Sequence, residues 1–249
     1  AQAILGRPVA EDALILGISG RYEFKNKGID VFIDAMGQLN RNNGLGKEVL
    51  AFILVPAGHA GANKELLHNL ELPYQAVTST DLYLTHYLND SANDPVMNRI
   101  RAQKLRNSEE DKVKIFFVPS YLNGDDGVFN MPYYDLLVGM DLTAFPSYYE
   151  PWGYTPLESL AFKVPTITTT LAGFGLWVKE HYNMNHPGIE VIHREDGDAS
   201  NVATAIAEWV KNYTQVGETE MQKDRDNAKD VSRIWSSTRP RNAPLTALR

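Results

Sequence analysis

Two cations and two carboxylates stand out by the company they keep. Arg21 and Lys27 lie in Gly20-Arg-Tyr-Glu-Phe-Lys-Asn-Lys-Gly28, a glycine-bounded stretch between the apolar run Leu14 to Ile18 and a helical pattern. In an open α/β sheet such a loop falls at the carboxyl end of a strand, where a helix N-terminus offers unpaired N–H groups to anions. Fixed cations there stabilise the charge that a leaving diphosphate develops as its bond to a sugar breaks, more in the transition state than in the ground state. The plain alternative is two solvated cations flanking a glycine turn. Glu150 and Glu158 belong to Phe145-Pro-Ser-Tyr-Tyr-Glu-Pro-Trp-Gly-Tyr-Thr-Pro-Leu-Glu-Ser159. Glu158 reads as the third helical residue of a capping box, with Thr155 as N-cap and Pro156 at the first helical position. Glu150 precedes that cap, boxed in by Tyr149, Pro151 and Trp152, and nothing local satisfies it. Aromatics and prolines crowding one loop make a rigid wall, a setting in which a carboxylate can orient sugar hydroxyls. Alternatively, Trp152 and Tyr154 simply cover the sheet edge.

Weaker signals come from Ala172-Gly-Phe-Gly175, a glycine-bearing turn, and from Tyr121 and Tyr133, which flank the loop Asn123 to Phe129. Glycine turns let backbone N–H groups approach a ligand, and tyrosine faces can stack on a base, although packing is the commoner task of either. His59, His68, His86, His181, His186 and His193 show no metal-ligand spacing, and the chain has no cysteine. No metal and no cofactor are expected. A nucleophile elbow and a Walker A loop are both absent.

These residues need a scaffold. Strand-length apolar runs at Leu14 to Ile18, Val49 to Val55, Val113 to Val118, Leu142 to Phe145, Ile167 to Thr170 and Ile189 to Ile192 alternate with helical patterns. Such alternation predicts a doubly wound, mainly parallel α/β sheet of about six strands. Ile29, Phe32, Ile33, Met36 and Leu39 mark the buried face of the first crossover helix. Between the second and third strands lie about fifty-five residues, too many for a simple crossover, so a helical insertion is expected over about 57–112. Its tail reads as helix from Val96 to Arg106, and Pro73 to Pro95 resists assignment. Two further helices are expected at Ala199 to Tyr213 and Glu220 to Trp235, followed by an irregular end rich in proline. All 249 residues are read as one domain, 43% hydrophobic and able to bury a substantial core.

A net charge of −7 argues against a nonspecific electrostatic grip on nucleic acid or anionic membranes, so an anionic ligand must be met locally. No apolar stretch is long enough to span a bilayer, and the N-terminus lacks a signal pattern. With no cysteine, a cytoplasmic setting is expected.

At this point the motifs cease to be anonymous. GRYEFKNKGIDVFIDAM and FPSYYEPWGYTPLESLAFKVPTITTTLAGFG closely resemble the animal and fungal type of glycogen synthase, as do NDPVMNRIRAQKLRN and VKIFFVPSYLNGDDGVFNMPYYDLL. The resemblance extends over residues 14 to 180 and implies the Rossmann-like C-terminal half of a retaining, two-domain GT-B glycosyltransferase. That half holds UDP-glucose, and the transferase adds glucose to the non-reducing end of an α-1,4-glucan. Carried over residue by residue, Arg21 and Lys27 would bind the diphosphate, and Tyr121 and Tyr133 would sandwich the uracil. Glu150 would be the first carboxylate of an E-x7-E motif beside the donor glucose, and Glu158 the second, nearer the nucleotide. Trp152, Gly153, Tyr154 and Thr155 would line the sugar and phosphate pocket.

The chain also departs from the family. Its insertion is shorter than the element associated with tetramer contacts, which leaves homo-oligomer formation open. The region near 214–235, where animal and fungal members carry an arginine-rich helix for glucose 6-phosphate, here offers Arg225 and Arg233 among acids, so no such switch is expected. The N-terminal acceptor domain is expected to be absent from these residues, which would leave a donor-binding chain with little or no synthesis of its own. Three alternatives stand beside this reading: a noncatalytic nucleotide-sugar-binding domain, a related GT-B transferase with another donor or acceptor, and a two-carboxylate glycosidase built on Glu150 and Glu158. The last leaves Arg21 and Lys27 without a task.

Overall fold

Each of the six apolar runs forms a strand of one sheet. The computed structural model describes residues 1–71, 82–182 and 186–238. Along the chain the elements are α1 (Gln2–Leu5), β1 (Leu14–Ser19), α2 (Ile29–Asn40), β2 (Val49–Leu54), β3 (His59–Ala62), α3 (Lys64–Glu71), β4 (His86–Leu88), α4 (Pro95–Ala102), β5 (Val113–Val118), α5 (Tyr133–Val138), β6 (Leu142–Ala144), α6 (Tyr154–Ala161), β7 (Thr166–Thr169), α7 (Gly173–His181), β8 (Ile189–Ile192), α8 (Ala199–Tyr213) and α9 (Glu218–Thr238). The main sheet runs β5-β2-β1-β6-β7-β8, and every neighbouring pair is parallel. Counted among themselves, the six strands stand in the order third, second, first, fourth, fifth, sixth, which is the order of a doubly wound nucleotide-binding sheet.

Parallel strands are covered on both faces, and the sequence obeys that demand. Leu14, Leu16 and Ile18 of β1, with Val49, Ala51 and Ile53 of β2 and Val113, Ile115 and Phe117 of β5, pack into one core with α2, α4 and α8. The intervening residues of the same strands face α1, α3 and α5. Beyond β6 the same side is closed by α6, α7 and α9 through Leu157, Leu160, Phe174, Val178 and Val231. Ile29, Phe32, Ile33 and Met36 of α2 are fully buried, each contributing roughly 1.5–3 kcal/mol from burial. Lys114 is the exception in β5: completely buried, it donates to the carbonyls of Ser108 (2.5 Å) and Asp111 and lies 3.7 Å from Glu48.

The segment between β2 and β5 holds more than the helical insertion expected there. It contains α3 and α4, but also a small antiparallel pair, β3 and β4, with His59 opposite Leu88 and Ala62 opposite His86. Four residues, His-Ala-Gly-Ala, and three, His-Tyr-Leu, are too short to show an alternating pattern. α4 starts where its sequence says: the Asp94 side chain accepts the Met97 N–H at 3.0 Å, with Pro95 at the first helical position. The unassigned stretch from Pro73 falls partly on residues 72–81, outside the described residues, as does the end of the chain from 239.

α9 begins two residues before the expected start and runs to Thr238. Arg225 fastens it to the entry of β6, donating to the Met140 carbonyl at 2.9 Å and to the Asp141 carboxylate at 2.8 Å. Among the described residues no helix is long and apolar enough to cross a membrane.

Candidate active site

The sheet spreads one way from β1 to β2 and β5, and the other way from β6 to β7 and β8. Between β1 and β6 the connections therefore diverge, opening the crevice in which open α/β sheets bind ligands. The loop after β1 and the loop after β6 form its two lips, and they touch closely. Gly28, the N-cap of α2, has φ 69°, and a Cβ placed on it would stand 2.5 Å from the carbonyl carbon of Pro146 and nearer still to its oxygen. Tyr148 donates its backbone N–H to the Asn26 carbonyl at 2.8 Å. Across this seam the Lys27 ammonium is ion-paired with the Glu150 carboxylate, both side chains largely buried at 15% and 20% exposure.

The partner of Glu150 that the local sequence lacks is thus a lysine 123 positions away. The Glu150 backbone is held as well: its N–H donates to the Leu171 carbonyl at 3.2 Å, and its own carbonyl accepts the Gly173 N–H at 3.1 Å. Arg21 is not brought into this pair; its guanidinium lies 3.0 Å from Glu23 on a side chain that is 77% exposed.

Glu158 is not part of a capping box. Gly153, with φ 100° and ψ 70°, is the N-cap of α6, and no side chain caps the helix. Because glycine alone takes that backbone conformation cheaply, the helix starts ahead of Thr155, leaving Thr155 and Pro156 inside the first turn. Glu158 falls one turn further in, beside the Tyr134 hydroxyl. Burial raises its pKa, and the nearby Tyr134 hydroxyl opposes that rise in part.

Tyr133 and Tyr121 stand at the stem of one loop, closed by the Tyr133 N–H donating to the Leu122 carbonyl at 2.9 Å and by the bridge between Asn123 and Pro132. The loop is organised by the Asp126 carboxylate, which accepts the N–H groups of Val128, Phe129 and Asn130 at 2.8–2.9 Å. Tyr133 packs inward with its hydroxyl 2.7 Å from Ser19 at the end of β1, and burial pushes its pKa up to about 12. Tyr121 is 75% exposed. Trp152 turns its indole into the aromatic cluster of α6, α7 and α9, with ring centroids 5.9 Å from Phe174 and 5.8 Å from Trp235. Tyr154 and Thr155 are half-buried in the first turn of α6.

Three contributors were missed by the sequence reading: Tyr134, Asp126 and Arg194. Asp126 carried a signal, since an aspartate before a glycine in a loop is the usual acceptor of following N–H groups. Arg194, buried beyond β8 and donating to the Pro146 carbonyl, carried none.

The strand order is that of a doubly wound nucleotide-binding sheet, and a cation and a carboxylate meet at its switch point. The sequence profile of the glycogen synthase family matches residues 9–81 and 75–237. The chain belongs to that family. It is similar to glycogen [starch] synthase isoform 2 of Saccharomyces cerevisiae, 31% identical over 81% of this chain and 38% of that protein. It is similar also to the glycogen [starch] synthase of Neurospora crassa, 29% identical over 89% of this chain and 39% of the other, and to the liver enzyme of Rattus norvegicus, 31% identical over 69% and 31%. The chain therefore spans well under half the length of the relatives it matches. A solved glycosyltransferase of lipopolysaccharide biosynthesis, WaaG, is similar over 93% of this chain and 44% of its own, at 15% identity and a TM-score of 0.49.

Proposed function

We propose that the chain is the donor half of a retaining glucosyltransferase that moves glucose from UDP-glucose to the non-reducing end of an α-1,4-glucan. Its family membership supports the reading, and the meeting of Lys27 with Glu150 at the switch point carries it. In this reading Lys27 and Arg21 take the diphosphate, Tyr133 and Tyr121 bracket the uracil, and Glu158 faces the nucleotide side. Gly153, Tyr154 and Thr155 bring the start of α6 to the sugar and phosphate, and Trp152 backs that wall from the core. A nucleotide diphosphate is already a good leaving group. It calls for fixed cations rather than a protonated carboxylic acid, because the charge to be stabilised is negative and grows as the glycosidic bond breaks.

The ion pair also implies an exchange. In the free chain Lys27 is neutralised by Glu150; a pyrophosphate competes for the ammonium with more charge than one carboxylate, and the released Glu150 can accept hydroxyls of the donor glucose. The glucan is held by a further domain that closes over the crevice and excludes water, so the 249 residues alone bind the donor with little or no synthesis. A reducing, cytoplasmic setting fits a chain without cysteine.

Calorimetric titration with UDP, UDP-glucose and ADP, beside an Arg21→Ala/Lys27→Ala double variant, tests the reading. Uridine-selective binding lost in the variant is expected. Binding of ADP in preference to UDP, or nucleotide binding untouched by the double substitution, would refute the assignment of donor or of phosphate site.

A further inference from the structure

Arg194 is a buried charge with an unusual set of neighbours. It lies two residues beyond β8 and is 5% exposed. Its Nη1 donates to the Pro146 carbonyl, its guanidinium carbon lies 5.4 Å from the centre of the Tyr148 ring, and its Nε has no hydrogen-bond partner. Burial works against its charge, while Asp30 at the start of α2 and Asp198 before α8 support it. Taking a guanidinium out of water costs several kcal/mol, and a well-packed apolar side chain is often no less stabilising. The cation at this position therefore needs a reason in what it holds.

What it holds is the lip of the crevice. Pro146, whose carbonyl Arg194 binds, is also the residue against which Gly28 closes. Two residues on, Tyr148 is fastened twice: its N–H to the Asn26 carbonyl at 2.8 Å, and its hydroxyl to Asp196, on the same loop as Arg194, at 2.6 Å. Lys27 sits between Asn26 and Gly28, and Glu150 sits two residues after Tyr148. The loop after β8 thus pins the loop after β6 at two points, and those points flank the contacts that set Lys27 opposite Glu150.

We infer that Arg194 is a positioning residue for the Lys27–Glu150 pair: by holding the Pro146 carbonyl it fixes the separation of the two loops and the place where Lys27 meets a pyrophosphate. The nucleotide arm of the test rests on the donor-site reading; the pairing itself does not. Both arms use the whole 249-residue chain, as wild type, Arg194→Met and Arg194→Lys, each also carrying Lys27→Ala for the nucleotide arm, with thermal melts establishing that each variant is folded.

In the first arm, trace acetic anhydride labels lysines, and mass spectrometry compares Lys27 with the exposed Lys64 of the same molecule. Lys27 is expected to react about tenfold faster in Arg194→Met, a change within the coupling seen for residues in one network, with Arg194→Lys in between. In the second arm, UDP is titrated: Arg194→Met is expected to weaken binding about tenfold with Lys27 present and less than about twofold with Lys27→Ala. Unchanged Lys27 reactivity in a folded Arg194 variant overturns the inference, and so does an equal loss of UDP affinity in both Lys27 backgrounds, the mark of a merely structural arginine. If Arg194→Met does not fold, Arg194→Lys decides by the same criteria. If the wild type binds no UDP, the donor-site reading fails, while the labelling arm still decides the role of Arg194.

Discussion

Gly28→Ala should be the most damaging single-methyl change in the crevice, and its cost divides into two parts. Gly28 has φ 69°, and a residue with a Cβ pays roughly 1–2 kcal/mol to occupy that left-handed region. The added carbon would also stand 2.5 Å from the Pro146 carbonyl carbon, where nothing soft can yield because the obstacle is backbone. Overpacking of that kind costs roughly 1–3 kcal/mol, for a total of about 2–5 kcal/mol. Gly197→Ala supplies the control: φ is 84°, but a Cβ there meets nothing within 4 Å, so only the backbone part applies. Urea unfolding of both variants, with unchanged m-values, measures the difference, expected to be about 1–3 kcal/mol. Relief by outward movement of Pro146 would shift Lys27 from its place in the crevice, and so show up as lost UDP affinity. Equal destabilisation of the two variants, within about 0.5 kcal/mol, together with intact UDP binding, would refute the claim that the lips of the crevice close on Gly28.

Other substitutions probe the remaining parts. Lys27→Met leaves the largely buried Glu150 without its cation, and chemical denaturation should register a loss of about 1–3 kcal/mol, recovered in part by adding Glu150→Gln. His86 is fully buried, with Nε2 2.7 Å from the Asp126 carbonyl and Nδ1 2.8 Å from the Thr85 hydroxyl; His86→Ala should cost about 2–4 kcal/mol and raise hydrogen exchange of the Val128 and Phe129 amides. Glu158 has its pKa raised by burial, so its contribution to stability is fully present below the unfolded-state pKa and is lost as pH rises through the folded value. The melting temperature of Glu158→Gln should therefore gain on that of the wild type between pH 4 and pH 7, and a constant gap across that range would contradict the assigned burial.

How much of this was legible in the sequence depended on the range of the interaction. The six strands were readable because parallel strands buried on both faces are nearly continuous apolar runs, as Val49–Leu54 is and as Val113–Val118 is apart from Lys114. β3 and β4 were not, because their pairing rests on backbone contacts across a long insertion rather than on any pattern in His-Ala-Gly-Ala. The helix after β6 was legible in place but not in its start: Thr-Pro-x-Glu fits a capping box, yet Gly153 takes the capping position because its backbone can adopt φ 100°. A local motif loses to a local conformation that only glycine tolerates cheaply.

The site shows the same division more sharply. Residue types and their loops gave Lys27 and Glu150 as separate candidates, each with an ordinary alternative, and the isolation of Glu150 within its own loop was the one hint that a partner must come from elsewhere. Their pairing exists because β1 and β6 are neighbours in a sheet whose connections diverge between them, a fact of topology rather than of spacing. Arg194 lies one level further away: it touches neither partner, and its effect passes through the carbonyl of Pro146. Backbone carbonyls are identical in every residue, so a side chain that acts by gripping one leaves no complementary residue type in the sequence to betray it. Polar groups that organise a site through main-chain contacts, as Asp126 and His86 do for the tyrosine-flanked loop and Arg194 does for the crevice, are for that reason systematically under-read from sequence.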